Sequence, residues 1–420
     1  MTELASRAQI GRFNQFGART AGHEEQTTSG DVKRFAAWLF VGVFASRAFT
    51  SSSAYFADAR RHLAAIQNHI YVIQAPGYWL FNRIAGLWPD AEIGISMTNW
   101  LFSAAGATVF YLAVRRMTSE SVARVSSLAY ATVFFAWLSG NVHSTYASQL
   151  FFPVAVFLCF LHYWESHHFG WLAAAGVLFA AGTGFRPSDG AFFAPAFLYG
   201  LSRCDRKHAA GCLAIVFPLC LMWLIPQQMA LSRNTNPLEH DIGSHLGQMA
   251  DGFLVIGFSK YAFSNAIRLG LPFVLALLPI LLLIFGNWRQ MFLWLWILPG
   301  MAFYLLIYFP EAPYLCYMLA ALMLLAATNP QVANRRKIRL LAACVALNLI
   351  FYLTWRPIKL ANHRLQIAEY VLEADAGKCT YYYVQHHCDP TLSQLLHVRG
   401  YGQPVPAIQI PPEKTEITKR

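Results

Sequence analysis

Eleven apolar runs divide this chain, near 35–53, 93–114, 122–138, 147–164, 169–184, 188–202, 209–228, 267–285, 290–309, 313–328 and 338–354. A helix needs about 17–25 mostly apolar residues to cross roughly 30 Å of hydrocarbon, and most of these runs are close to that length. They are apolar all round rather than along one stripe, which excludes a large soluble helical protein. Composition agrees, with 56% of the 420 residues hydrophobic, 15% aromatic and 13% charged, far from an average soluble domain. The expected fold is all-α, a polytopic transmembrane bundle of about eleven helices.

Lysine and arginine set the orientation. With the N-terminus inside, the inner loops hold ten basic residues in about 38 positions and the outer loops six in about 97. That bias is the positive-inside pattern. Arg7, Arg12, Arg19, Lys33 and Arg34 add to the inner side. The net charge of +11 is then a topology signal and does not call for a nucleic-acid partner. Residues 1–33 read as a polar, disordered cytoplasmic tail, 34–354 as the membrane domain, and 355–420 as a small outer segment. In that last segment, 362–374 suggests a helix and 380–384 a strand, a small α/β tail. The late start of the first apolar run, with Arg47 inside it, argues against a cleaved signal peptide.

Cys379 and Cys388 lie in the outer tail, where an oxidising compartment would allow them to pair; the sequence leaves this open. Cys316, at the start of a run, is the other cysteine on that side. His386, His387 and His397 match no standard zinc spacing. Charged residues within the runs are scarce, which disfavours a proton pump. No phosphate-binding glycine loop and no Asp-x-Asp on a plausible loop are visible.

The first outer loop carries the candidate chemistry. Residues 54–68 read as a short helix, with Tyr55, Leu63 and Ile66 on its apolar face and Asp58, Arg61 and His62 on the other, at i, i+3 and i+4. Pro76 opens a second surface helix with Tyr78, Trp79, Phe81, Ile84 and Leu87 as an interfacial aromatic face. A carboxylate at that boundary can take a proton from a hydroxyl. It can equally pair with its basic neighbours or cap the helix, and local physics leaves both roles open.

Three further elements follow in order: Gln74-Ala75-Pro76-Gly77-Tyr78, then Gly182-Thr183-Gly184-Phe185-Arg186-Pro187 with Leu198-Tyr199-Gly200 beyond it, then Glu311-Ala312-Pro313-Tyr314-Leu315. Together with Asp58 after the first run, they resemble the GT-C class of membrane glycosyltransferases. The likeness is to its protein O-mannosyltransferase-like and lipid-A-sugar-transferase-like branch, over roughly 35–330. Many relatives have Asp-Glu at the first loop where this chain has Asp58-Ala59, and an acidic residue in the second outer loop where it has Gly140-Asn141-Val142-His143-Ser144.

The resemblance implies an inverting transfer of sugar from a polyprenyl-phosphate carrier to a hydroxyl of a glycan, lipid or protein at the outer face. Asp58 would be the base. Arg186, Arg61 and Lys260 are candidates for the donor phosphate, and His62, His143, Tyr78 and Tyr314 for substrate. Competing roles are a snorkelling interface arginine for Arg186, a structural histidine for His143, and helix anchoring for both tyrosines. No cofactor is assigned; a divalent cation is compatible with the chemistry, and no metal-ligand set is assigned. The expected place is a bacterial inner membrane. Two alternatives share this topology: a transporter or flippase of a lipid-linked glycan, and a ligase or polymerase using a diphosphate-linked donor. The latter would place its key groups in 231–266, with His240 and His245.

Overall fold

The computed structural model describes residues 28–51, 57–72, 77–233, 258–285, 287, 290–306 and 312–375. For some of these, Asp58, Arg61 and 355–375 among them, the description covers the backbone alone. The helices in chain order are α1 (Ser29–Phe49), α2 (Ala57–Gln67), α3 (Trp79–Ala85), α4 (Ala91–Met117), α5 (Glu120–Thr132), α6 (Phe134–Asn141), α7 (Phe152–Ser166), α8 (Phe169–Phe185), α9 (Pro187–Ser202), α10 (Arg206–Arg233), α11 (Phe258–Leu277), α12 (Leu281–Phe285), α13 (Met291–Leu306), α14 (Cys316–Thr328) and α15 (Asn334–Asp375). Short 3-10 turns at Tyr146–Leu150, Leu278–Ile280 and Ala312–Leu315 complete the set. No strand occurs among the described residues.

Every apolar run has a helical counterpart. Ala91–Met117, Tyr146–Ser166, Arg206–Ser232, Ala262–Ile284 and Asn334–Thr354 are each long and apolar enough to cross a membrane, and the bent pair α5 and α6 forms a sixth candidate span. Phe169–Phe185, Met291–Leu306 and Pro313–Thr328 are shorter apolar helices. The chain is an integral membrane protein with an all-α fold.

Two boundaries differ from expectation. Residues 29–33, expected in the disordered tail, are helical, because Thr28 caps α1 by accepting from Asp31 N at 3.3 Å and satisfies a free N–H of the first turn. Residues 362–374 are not a separate tail helix but continue α15, which runs unbroken for 42 residues. The expected strand at 380–384, Cys379, Cys388 and the tail histidines lie outside the described residues, as do residues 1–27 and the loop with His240 and His245.

The centre of the bundle is α14, whose 13 residues are all buried. A helix apolar all round belongs in such a position. Around it, α4 packs on α1, α5 and α7, α8 lies against α7 and α10, and α9 pairs with α13. At the end of α4 opposite the candidate site, Glu120 accepts from Tyr111 Oη at 2.6 Å, Arg124 Nε at 2.7 Å and Arg115 Nε at 2.9 Å, closing the turn into α5. Arg116 pairs with Glu165 nearby. On the same side, Asp205 precedes α10 and accepts from Lys207 N at 2.8 Å and His208 N at 3.3 Å. Those backbone donors of His208 and Lys207 hold its carboxyl below the usual range.

The third span is broken. α5 and α6 meet at Val133 with a 59° bend, although neither proline nor glycine stands there. Side chains of distant helices complete the interrupted ladder, a known cause of sharp kinks. Arg47 of α1, 1% exposed, donates to Ala131 O at 2.5 Å and lies 4.5 Å over the Trp137 ring. Its charge also suits the C-terminal end of the α5 dipole. Asn348 of α15 accepts from Phe134 N at 3.0 Å and donates to Ala276 O at 2.7 Å, where α11 gives way to its 3-10 turn. There Pro279, which has no N–H, accounts for the break. One amide thus serves two interrupted helices, as buried backbone in a membrane requires.

Candidate active site

The stretch after α6, expected as an exposed outer loop, is instead packed inside. Every residue from Leu138 to Leu150 is buried. Irregular backbone at this depth must find its hydrogen bonds within the protein. Asn99 donates to Val142 O at 2.8 Å, Ser96 Oγ contacts His143 Nε2 at 3.0 Å, and Tyr130 Oη donates to Leu150 O at 2.7 Å. Gly106 of α4 permits the approach, since a Cβ there would overlap the Leu150 carbonyl. Gly106→Ala is expected to cost about 1–3 kcal/mol through overpacking, read as a lowered unfolding midpoint in detergent; an unchanged midpoint would show that this contact is not tight.

Arg186 is the residue around which the site is built. It sits between α8 and α9 in an extended conformation (φ −148°, ψ 95°), as the residue before a proline should, and Pro187 opens α9. The residue is 5% exposed. Nη1 donates to Thr145 Oγ1 at 2.8 Å, and Nε lies 3.2 Å from Asp189 Oδ1. Three tyrosine rings surround it, with centroids at 4.3 Å for Tyr146, 5.6 Å for Tyr78 and 5.7 Å for Tyr314. Tyr314 stacks on Tyr304 at 5.0 Å. Asp189, 7% exposed, also accepts from Gln149 Nε2 at 2.8 Å. A buried cation and a buried carboxylate thus meet in one aromatic enclosure, where attraction offsets part of the cost of desolvating each.

The tyrosine nearest the first outer loop is held by a strained turn. Gly77 has φ +110° and Tyr78 φ +55°, the left-handed region that costs a non-glycine residue about 1 kcal/mol or more. A side chain at Gly77 would meet Gln227 of α10 at 2.6 Å, and Gln227 Oε1 accepts from Trp79 N at 3.3 Å. The strain fixes Tyr78 between Arg186 and His62.

His62 corrects the reading of α2. It is 2% exposed and shares the inward face with Ala59, Leu63 and Ile66. Its Nδ1 meets Asn82 Oδ1 at 2.6 Å, Asn82 Nδ2 donates to Tyr71 O at 3.0 Å, and its ring packs edge-on against Tyr78 and Phe81. With the polar ring satisfied by Asn82, it buries like an apolar residue. The two short helices are not free surface helices either: Leu63, Ile66, Phe81 and Ala85 join a core with Ile95, Phe152 and Phe185.

The structure therefore joins Arg186, Tyr78 and Tyr314, with His62 one ring away. His143 lies on the same buried segment as Tyr146, with Ser96 as a partner. Lys260 stands apart, exposed in the first turn of α11 rather than in a loop. Asp58 falls in the first turn of α2, one turn before His62; its side chain and that of Arg61 lie outside the described residues. Sequence reasoning missed Tyr146, Thr145, Gln149, Asp189 and Tyr304. Only Asp189, a lone acid three residues after Arg186 in an apolar run, gave a usable signal. Among the described residues no group of three or more His, Cys, Asp or Glu is placed to hold a metal. Cys316 is buried as a free thiol, 3.3 Å from Ser139 Oγ.

No curated protein matches this chain. Among solved structures, ArnT from Cupriavidus metallidurans, bound to undecaprenyl phosphate, is 16% identical with a TM-score of 0.48, covering 83% of this chain and 66% of that one. The chain thus spans just under two thirds of the length of that solved relative. Residues 76–226 match the sequence model of the family described as dolichyl-phosphate-mannose-protein mannosyltransferase. That stretch holds Tyr78, His143, Tyr146, Arg186 and Asp189 and leaves out Asp58 and Tyr314. Over the segment that builds the arginine enclosure, the chain is similar to the dolichyl-phosphate-mannose-protein mannosyltransferases.

Proposed function

We propose that this protein is a membrane glycosyltransferase that moves a sugar from a polyprenyl-phosphate carrier to a hydroxyl acceptor at the outer face of a bacterial inner membrane, with its N-terminus in the cytoplasm. The observation that carries this reading is the coincidence of the family match with the buried arginine site. The donor's leaving group is a phosphate, stable as an anion, so one base suffices where glycoside hydrolysis needs two carboxylates. Asp58 takes the acceptor's proton, the acceptor oxygen bonds to the anomeric carbon from the opposite face, and the carbon–phosphate oxygen bond breaks with inversion. Arg186 receives the phosphate charge, a role suited to a planar guanidinium with several N–H donors. Tyr78, Tyr146 and Tyr314 keep that cation in place. His62 and His143 belong to the walls beside the substrate, Lys260 and Arg61 to the outer approach, and the acceptor is a glycan, lipid or protein.

The test is incubation of purified protein in nanodiscs with a panel of polyprenyl-phosphate sugars and candidate acceptors, following labelled sugar. Transfer or slow hydrolysis from at least one donor is expected. Movement of a lipid-linked glycan across the bilayer with no bond cleaved would replace this reading with transport.

A further inference from the structure

The ion pair inside the enclosure has a feature that a purely structural pair does not need. Arg186 Nε lies 3.2 Å from Asp189 Oδ1, yet Nε forms no directed hydrogen bond. Strong arginine–carboxylate pairs are commonly bidentate, with two parallel N–H···O bonds. Here the closest approach, Nε to Oδ1, lies off the N–H axis, so the carboxylate neutralises the guanidinium without satisfying its Nε–H. The aromatic rings and Thr145 hold Arg186 independently of Asp189. Asp189 is separately held by Gln149, whose buried Oε1 has no hydrogen-bond partner among the described residues. Each partner therefore keeps its position if the contact between them is exchanged for another.

Asp189 also lines a narrow cleft between α7, α8 and α9. Ser148 and Thr183 are its other polar side chains, and Phe152, Val156, Leu178, Phe179 and Phe193 make the rest apolar. The cleft is apolar except at this end, where Asp189 stands between it and the Arg186 guanidinium.

We propose that Asp189 is an exchange partner for Arg186: it neutralises the guanidinium in the empty site, gives way to the phosphate of the lipid carrier, and reclaims the cation so that the spent carrier leaves. This rests on the function proposed above and adds the step that sets product release. Two anions competing for one buried cation weaken each other's hold, so removing the protein's own anion strengthens that of the lipid. Asp189 acts through Arg186 and touches no reacting atom, which makes it a positioning residue.

The experiment measures binding of undecaprenyl phosphate, inorganic phosphate and uncharged undecaprenol to the full chain in detergent, for wild type and Asp189→Asn, with product inhibition and turnover read in parallel. Asp189→Asn is expected to bind undecaprenyl phosphate about tenfold tighter or more, with product inhibition tightening in step and kcat falling. Undecaprenol should bind both proteins alike, and inorganic phosphate far more weakly than the lipid. Unchanged or weaker lipid-phosphate affinity in a folded Asp189→Asn protein overturns the exchange, as does an equal gain for undecaprenol. If the single variant does not fold, Arg186→Gln is compared with the neutral double variant Arg186→Gln/Asp189→Asn. Equal lipid-phosphate affinity supports the proposal, since Asp189 then has no cation to give up, and a gain on adding Asp189→Asn overturns it. A wild type that transfers sugar while Asp189→Asn leaves product affinity unaltered sinks the exchange alone. A wild type that neither binds the lipid phosphate nor transfers sugar sinks the function as well.

Discussion

Asp58→Asn is expected to lower sugar transfer by roughly 10²–10⁴-fold, the usual contribution of a positioned base, while the protein still folds and inserts. The stability cost should be small, because Asp58 stands in the first turn of α2, where loss of a carboxylate forfeits only about 0.3–1 kcal/mol of helix-dipole interaction. The loss should therefore appear in kcat at unchanged unfolding midpoint. Asp58 lies outside the segment similar to the mannosyltransferases, so the experiment tests the base independently of that similarity. Normal turnover by Asp58→Asn would falsify the assignment. Retained activity there combined with loss in His245→Ala would instead direct attention to the loop 231–266 and a diphosphate-linked donor.

Asn348→Leu should produce the largest loss of stability of any single change away from the arginine site. Its amide completes Phe134 N and Ala276 O, backbone groups of two different interrupted helices. Side-chain hydrogen bonds in membrane bundles average only about 0.6 kcal/mol in double-mutant cycles. Here, however, the substitution takes the Asn348 acceptor from Phe134 N and leaves Ala276 O with only the weak Cys344 Sγ donor at 3.3 Å, at roughly 1–3 kcal/mol for each under-satisfied group. Unfolding of purified protein in a denaturing detergent gradient measures this. A midpoint equal to wild type would mean that the bend at Val133 and the passage into the 3-10 turn after Leu277 are held by other contacts.

These two sites show what the sequence could and could not convey. Helices were readable because lipid-facing and buried spans share one property, an unbroken apolar run. The break at Val133 was not, since its causes are Arg47 and Asn348, 84 residues before Ala131 and 214 beyond Phe134. Arg186 stood out as a lone cation in a very short turn, and Tyr78 and Tyr314 as aromatics at outer ends. Tyr146 and Gln149 did not, because a run such as Asn141-Val142-His143-Ser144-Thr145 has the composition of a solvated loop. It is buried because Ser96, Asn99 and Tyr130 satisfy it from neighbouring helices. His62 was placed on the wrong face for a related reason: polarity marks a residue as outward only when no partner such as Asn82 waits inside.

The complete burial of α14 has a consequence for biogenesis. At 13 residues it is about 20 Å long, short of a bilayer's hydrocarbon thickness, and it has no flank turned to lipid. Partition into oil alone therefore does not define its final place; contact with its neighbours does. Its neighbours α4, α7 and α13 are all made before it, so α14 is the plug that closes a socket already laid down, and enlarging its alanines should most often leave the protein trapped before maturation.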